Sequence, residues 1–177
     1  MADGDGGRGG GGHVVLVGMM GSGKTTVGHE VARRLGRDFL DSDDQVEART
    51  GRTVREIFET GGETAFRALE ASALADALGR SEPAVIAAAG GVVLDPENRR
   101  RMREAGAVVW LRADLAVLAT RVGSSDHRPL LADDPLGVLT RLDRDRQALY
   151  REVADHVVDV GRRSSHEVVE DVLAVLR

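Results

Sequence analysis

The sequence contains no cysteine, which excludes disulfides, thiolate metal sites and cysteine nucleophiles and leaves packing to hold the fold. It has no run of 18 or more apolar residues, so no segment reads as a membrane-spanning helix. The opening MADGDGGRGGGG lacks the basic-then-apolar order of a secretory signal, and the expectation is a soluble, cytoplasmic chain with no membrane partner. Residues 1–12 have almost nothing to bury and are expected to form a disordered tail. A basic excess is missing as well: the formal charge of -5 argues against a nucleic-acid partner. Lysine is nearly absent, since of 24 basic residues only Lys24 is a lysine. A general drift from lysine to arginine produces such a composition, but under it a surviving lysine marks a place that needs a compact ammonium rather than a planar fork.

What is present is enough for one core. A chain of 177 residues, 42% apolar and 30% charged, fits one domain from residue 13 to residue 177 and is short for two. HVVLVG (13–18) reads as a buried strand and TTVGHEVARRLG (25–36) as a helix closed by Gly36. DFLD then reads as a second strand, DDQVEART and TVREIFET as short helices, and residues 63–79 as a long amphipathic helix. AVIAAAGG is a strand, DPENRRRMREAG a helix, AVVWLRA a strand and DLAVLATRV a helix. A polar stretch at 123–135 reads as a surface loop, before a helix near 136–153, the strand HVVDV and a last helix from Ser165. Alternation of this kind specifies an α/β fold of three layers, with helices on both faces of a parallel sheet and ligands bound beyond the carboxyl ends of the strands.

GMMGSGKT, Gly18 to Thr25, satisfies G-x-x-x-x-G-K-[ST] in full and stands between a strand and a helix, where the mechanism requires it. Its glycines let the backbone N–H groups of Gly21, Ser22, Gly23, Lys24, Thr25 and Thr26 surround phosphates at a helix N-terminus. Lys24 reaches the terminal phosphates and the Thr25 hydroxyl is a magnesium ligand. A plain glycine turn would have no use for the Lys-Thr pair, so a nucleoside triphosphate with Mg2+ is the expected ligand. The sole lysine has its explanation.

DSDD (41–44) concentrates three carboxylates after Phe39-Leu40. Ser42 with Gln45 fits S-x-x-Q, a capping box, and acids in a first helical turn favour the helix dipole by about 0.3–1 kcal/mol each. That reading leaves Asp41 over. In an extended segment Asp41 and Asp43 would project to one side about 6–7 Å apart, and a second strand ending beside the first would aim both at the phosphate loop.

FLDSDDQVE, GGETAFRALE, AAGGVV, HRPLL and RQALYREVA, in this order behind the phosphate loop, resemble the shikimate kinases from His13 to the end of the chain. The loop alone is shared by many families, whereas F-x-D-x-D-x-x-[IV]-E, F-R-x-x-E and R-P-L-L in succession are specific. The resemblance implies a nucleoside-monophosphate-kinase-like domain with a central five-stranded parallel sheet and a flexible lid near 122–135. It also implies transfer of the γ-phosphoryl group of ATP to the 3-hydroxyl of shikimate. Carried over by position, Asp43 binds the acceptor hydroxyls and takes a proton, and Asp41 joins the magnesium shell through water. Arg67 and Arg146 bind the acceptor carboxylate beside Gly90 and Gly91, and Arg128 in the lid meets the transferring phosphoryl group. Arg121 and Arg163 contact adenine. A small anionic acceptor independently invites arginine forks, and Glu70, three residues after Arg67, can orient that guanidinium. A monomer is expected.

Two positions depart from the family pattern. Ala89-Gly90-Gly91 stands where the family shows three glycines, which is costly only if the first needs positive φ; Ala148 replaces a proline in R-x-P-L-Y. The other readings are a kinase for a related cyclitol or a sugar acid such as gluconate, and a nucleotide-binding regulatory module whose acceptor site has decayed.

Overall fold

A computed structural model of the chain describes residues 11–123 and 134–177. Five strands are all parallel: β1 (His13–Val17), β2 (Asp38–Asp41), β3 (Ala84–Ala87), β4 (Gly106–Arg112) and β5 (His156–Asp159), in the order β2-β3-β1-β4-β5. The helices among the described residues are α1 (Lys24–Leu35), α2 (Ser42–Thr50), α3 (Val54–Leu78), α4 (Pro96–Ala105), α5 (Leu115–Gly123), α6 (Pro135–Val153) and α7 (Ser165–Val175). The α/β class and the five-stranded parallel sheet agree with the sequence reading.

Strand alternation divides the core. Val14 and Leu16 of β1, Val85 of β3 and Val109 and Leu111 of β4 pack against Val27 and Val31 of α1 and Val168, Val169 and Val172 of α7. The alternate residues, Val15, Val17, Ile86, Val108 and Trp110, meet Leu74 of α3, Met102 of α4, Leu118 of α5 and Leu139, Tyr150 and Val153 of α6. A sheet buried on both faces needs apolar residues at successive positions, and β1 is HVVLV with every residue buried. Both extremes of α3 were legible as separate helices: they join in one element broken at Gly62, whose φ of 74° and ψ of -178° only glycine adopts readily.

Three details differ from expectation. β3 lies between β1 and β2, so β2 is a sheet edge and does not end beside the phosphate-loop strand. Sequential strands here are joined through α2 and α3, and that crossover inserts β3 next to β1 instead. Strand β3 stops at Ala87, four residues short of the AVIAAAGG run; Ala88 N–H still bonds Leu16 O, but Ala89 N–H turns to the Ser42 hydroxyl and a 3-10 turn follows at Val92–Leu94. The expected lid near 122–135 is narrower at its ends, because α5 continues to Gly123 and Pro135 opens α6 behind an Asp134 cap. Its middle, with His127, Arg128 and Pro129, lies outside the described residues, as do residues 1–10 of the expected tail.

Candidate active site

The phosphate loop leaves β1 at Val17 and closes into α1 at Lys24. Gly18, Gly21 and Gly23 have φ of 145°, 80° and 88°, and a Cβ on Gly18 would stand 2.5 Å from Leu111 O, so the loop requires glycine for conformation and for space. Lys24 Nζ donates to Gly18 O at 2.9 Å and Met19 O at 3.1 Å, which places the ammonium inside the loop's curve. The Ser22 side chain is buried, and among the described residues its hydroxyl has no hydrogen-bond partner, a polar atom suited to a phosphate oxygen. Thr25 and Thr26 lie exposed in the first turn of α1.

Asp41 reaches this loop despite the intervening strand. Its Oδ2 accepts from Thr25 Oγ1 at 2.8 Å while Oδ1 accepts from Asp43 N–H at 3.0 Å. Asp41 is therefore the cap of α2, which corrects the assignment of that role to Ser42 with Gln45. Ser42 is instead fully buried and its hydroxyl accepts from Ala89 N–H at 2.8 Å, pinning the start of α2 to the turn after β3. Asp43 belongs to the first turn of α2, not to an extended segment, so Asp41 and Asp43 are related by a cap hydrogen bond rather than by strand alternation. One Asp43 carboxylate oxygen is buried, and the Asp43 charge is within electrostatic reach of Glu70, whose pKa it helps raise. Asp44, in the same turn, is exposed overall; the slight desolvation of its carboxyl by neighbouring atoms and the charges of Asp41 and Glu47 push its pKa upward.

Two guanidinium groups flank the Gly90-Gly91 turn. A Cβ on Gly91 would collide with the Arg67 guanidinium, and one on Gly90 would lie 3.3 Å from Arg146 Nη1. These glycines are needed for the close approach of arginine; neither has positive φ. Ala89 has no positive φ either, and its N–H is already engaged by Ser42, so alanine at the first of the three positions is accommodated. Arg67 Nη1 donates to Glu70 Oε2 at 2.6 Å and Nη2 to Glu63 Oε1 at 3.3 Å. Burial raises the Glu70 carboxyl above its ordinary range more strongly than Arg67 lowers it. Burial also works against the Arg67 charge, yet Glu70 and Glu63 hold the guanidinium pKa above its usual value. Arg146 is 6% exposed, and among the described residues neither its Nε nor that of Arg67 has a hydrogen-bond partner. Buried guanidinium N–H groups facing a glycine turn can donate to the two oxygens of a carboxylate.

The adenine assignments separate. Arg121 is fixed by backbone: Nη1 donates to Gly21 O at 3.3 Å, and Nη2 to Val160 O at 3.3 Å and Gly161 O at 2.8 Å, so it ties the phosphate loop to the turn after β5. Arg163 sits in that turn, but its guanidinium pairs with Asp171 of α7 rather than pointing to the loop. Tyr150, which sequence reasoning passed over, is fully buried with its hydroxyl 2.7 Å from Gly90 O. The signal was available, because Tyr150 follows Arg146 by four residues and shares its helix face.

The site joins a phosphate loop to an acidic helix cap and an arginine-lined turn. A family model described as "Shikimate kinase" matches residues 20–177. The shikimate kinase of Burkholderia thailandensis is 48% identical over 165 residues, 93% of this chain and 89% of that protein. Among solved structures, shikimate kinase from Acinetobacter baumannii in complex with shikimate superposes with a TM-score of 0.89 at 36% identity, covering 94% of this chain and 93% of that one. A gluconokinase from Sinorhizobium meliloti is less alike, with a TM-score of 0.69 at 26% identity over 93% of this chain and 91% of that one. With the family model running from residue 20 within the phosphate loop through the acidic cap and both arginines to the last residue, the chain belongs to the shikimate kinase family.

Proposed function

We propose that this chain transfers the γ-phosphoryl group of ATP to the 3-hydroxyl of shikimate, giving shikimate 3-phosphate and ADP. The observation that carries the reading is the convergence of Arg67 and Arg146 on Gly90-Gly91 with the Asp43 carboxylate, across from the Lys24 loop. Two forks suit a carboxylate, and Asp43 suits the ring hydroxyls. The 2.8 Å Thr25–Asp41 contact brings a hydroxyl and a carboxylate oxygen together at the loop, a donor set that fits magnesium. Among the described residues no cluster of three metal-ligating side chains exists, so Thr25 and, through water, Asp41 would hold an ion whose other ligands are phosphate oxygens and water. Bound there, magnesium supplies charge neutralisation on the phosphates.

In this reading Lys24 and the N–H groups of Gly21 to Thr26 bind the phosphates, and Asp43 orients the acceptor hydroxyl in line with the γ-phosphorus and receives its proton. Little covalent help is required, since phosphoryl transfer through a loose transition state depends mainly on position and charge. Arg121 and Arg163 are assigned to the adenine side and Arg128 to the transferring group. Residues 13–177 act as one domain with a lid near 122–135, as a cytoplasmic monomer.

ADP release measured by a coupled assay, with shikimate, gluconate and a neutral cyclitol as acceptors, tests the reading. Turnover should depend on shikimate and be at least tenfold weaker, on the order of the loss of one paired carboxylate, for the neutral ring. ATP binding by calorimetry without shikimate binding would instead favour the nucleotide-binding module.

A further inference from the structure

We propose that Tyr150 is a positioning residue for the acceptor site: its hydroxyl holds Gly90 and Arg146 in register, so that one buried phenol sets where the acceptor carboxylate is gripped. The inference rests on the assignment of Arg146 to that carboxylate.

Tyr150 is the chain's only tyrosine. It stands on α6 one turn beyond Arg146, fully buried, with its ring stacked on Trp110 at 5.7 Å between centroids. Its hydroxyl is 2.7 Å from Gly90 O and 3.8 Å from Met19 Sδ. A phenol has one proton to donate, and the short carbonyl contact takes it in preference to the long thioether contact. The oxygen lone pairs are left to accept, and the Arg146 guanidinium is the cationic group beside them, its Nη1 grouped with the phenol oxygen around Gly90. The position that a Gly90 Cβ would occupy is 3.3 Å from both Arg146 Nη1 and the Tyr150 oxygen, so guanidinium, phenol and glycine peptide meet at one point. The phenol O–H therefore points to the Gly90 carbonyl, and its lone pairs are free to orient the Arg146 guanidinium beside it.

The arrangement matters because Arg146 is otherwise weakly held. Among the described residues Arg146 Nε has no hydrogen-bond partner and no carboxylate forms an ion pair with Arg146, in contrast to Arg67, which is held by Glu63 and Glu70. Two guanidinium groups that flank one turn thus have different anchors, one ionic and one phenolic. Burial lifts the Tyr150 phenol to about 12, which keeps the anchor neutral and able to donate at any working pH. A carboxylate in place of that phenol would lock Arg146 in an ion pair; a neutral oxygen orients the cation and leaves its charge for the acceptor.

The test is Tyr150→Phe, which keeps the ring and removes the bonds. The KM for shikimate should rise about tenfold, the scale of one hydrogen bond to a charged group, with the KM for ATP within about twofold and kcat reduced less than about threefold. The preference of kcat/KM for shikimate over its uncharged methyl ester should fall about tenfold, because only the carboxylate needs Arg146 in place. An unchanged shikimate KM and an unchanged acid-to-ester preference would overturn the proposal. So would parallel rises in both KM values, which mark loosened structure rather than lost positioning. Should the Phe variant fail to fold, uniform 3-fluorotyrosine labelling of the unsubstituted chain gives a single fluorine resonance at Tyr150. Shikimate should move it and the methyl ester should move it less; a resonance indifferent to shikimate refutes the inference. Absence of shikimate-dependent ADP release in the unsubstituted chain refutes the function itself, an outcome distinct from a Tyr150 effect that fails to materialise in an active enzyme.

Discussion

Gly91 illustrates how a single missing side chain organises the arginine-lined turn. A methyl group there would enter the space of the Arg67 guanidinium, the far end of a flexible side chain, so the fold can yield while the arginine moves. Gly91→Ala should therefore leave the urea midpoint nearly unchanged and raise the shikimate KM by about tenfold or more, read from the same coupled assay. Asp43→Asn keeps the shape of the α2 turn but removes the charge and the proton acceptor. Turnover should fall by at least about a hundredfold while ATP affinity measured by calorimetry holds within about twofold. At this scale the sequence was informative where spacing alone sets geometry, since Lys24 lies inside the loop and Glu70 pairs with Arg67 three residues before it, but not for Asp43, which lies in a helical turn rather than in the extended segment expected for it. It was misleading at Ser42, because S-x-x-Q describes a local cap and the true partner, Ala89 N–H, is distant in sequence. Tertiary contacts of that kind leave no periodic trace.

Among the elements, α4 does more than cover the sheet. Asn98 is buried and donates from Nδ2 to Val92 O at 3.1 Å, and Arg99 Nη1 donates to Val93 O at 2.7 Å, so one helix face satisfies successive carbonyls of the 3-10 turn that follows Gly91. Asn98→Ala would strand a buried carbonyl and should cost about 1–3 kcal/mol in equilibrium urea unfolding. The α1 helix makes a second such contact: a Cβ at Gly28 would collide with the Phe39 ring of β2, two residues before Asp41. Helix and strand existence was legible from apolar spacing, as was the break between the two halves of α3. The order of the strands was not, since apolar runs state that a strand is buried without naming its neighbour, and the placement of β3 beside β1 is decided by the packing of α2 and α3. The 3-10 turn escaped for a related reason, because AVIAAAGG remains apolar after its backbone has left the sheet.

Across the whole molecule the titrating carboxylates pull stability in two directions. Glu97 is held down to about 2 by hydrogen bonds from Arg100 and Arg101, and Glu56 and Glu167 are lowered by the capping boxes they close with Thr53 and Ser164. Groups depressed in the folded state contribute stability above their ordinary value of 4.5 and lose it as pH falls through the folded values. Glu70 is the reverse case: its raised carboxyl binds its proton more tightly in the folded chain, so its contribution is complete below 4.5 and is lost as pH rises through the folded value. Glu70→Gln removes that loss. Relative to the unsubstituted chain, the variant should gain stability as urea midpoints are taken from pH 4 upward through the Glu70 titration, the gain levelling off above it.

The stacked pair of Trp110 and Tyr150 has a photophysical consequence. The chain holds one tryptophan and one tyrosine, and the fold sets their rings 5.7 Å apart beside the acceptor turn. Light absorbed by the phenol is then passed to the indole, and emission of the native protein comes from the indole alone. Unfolding separates donor from emitter and uncovers phenol fluorescence, giving a built-in optical gauge of whether α6 is seated on β4.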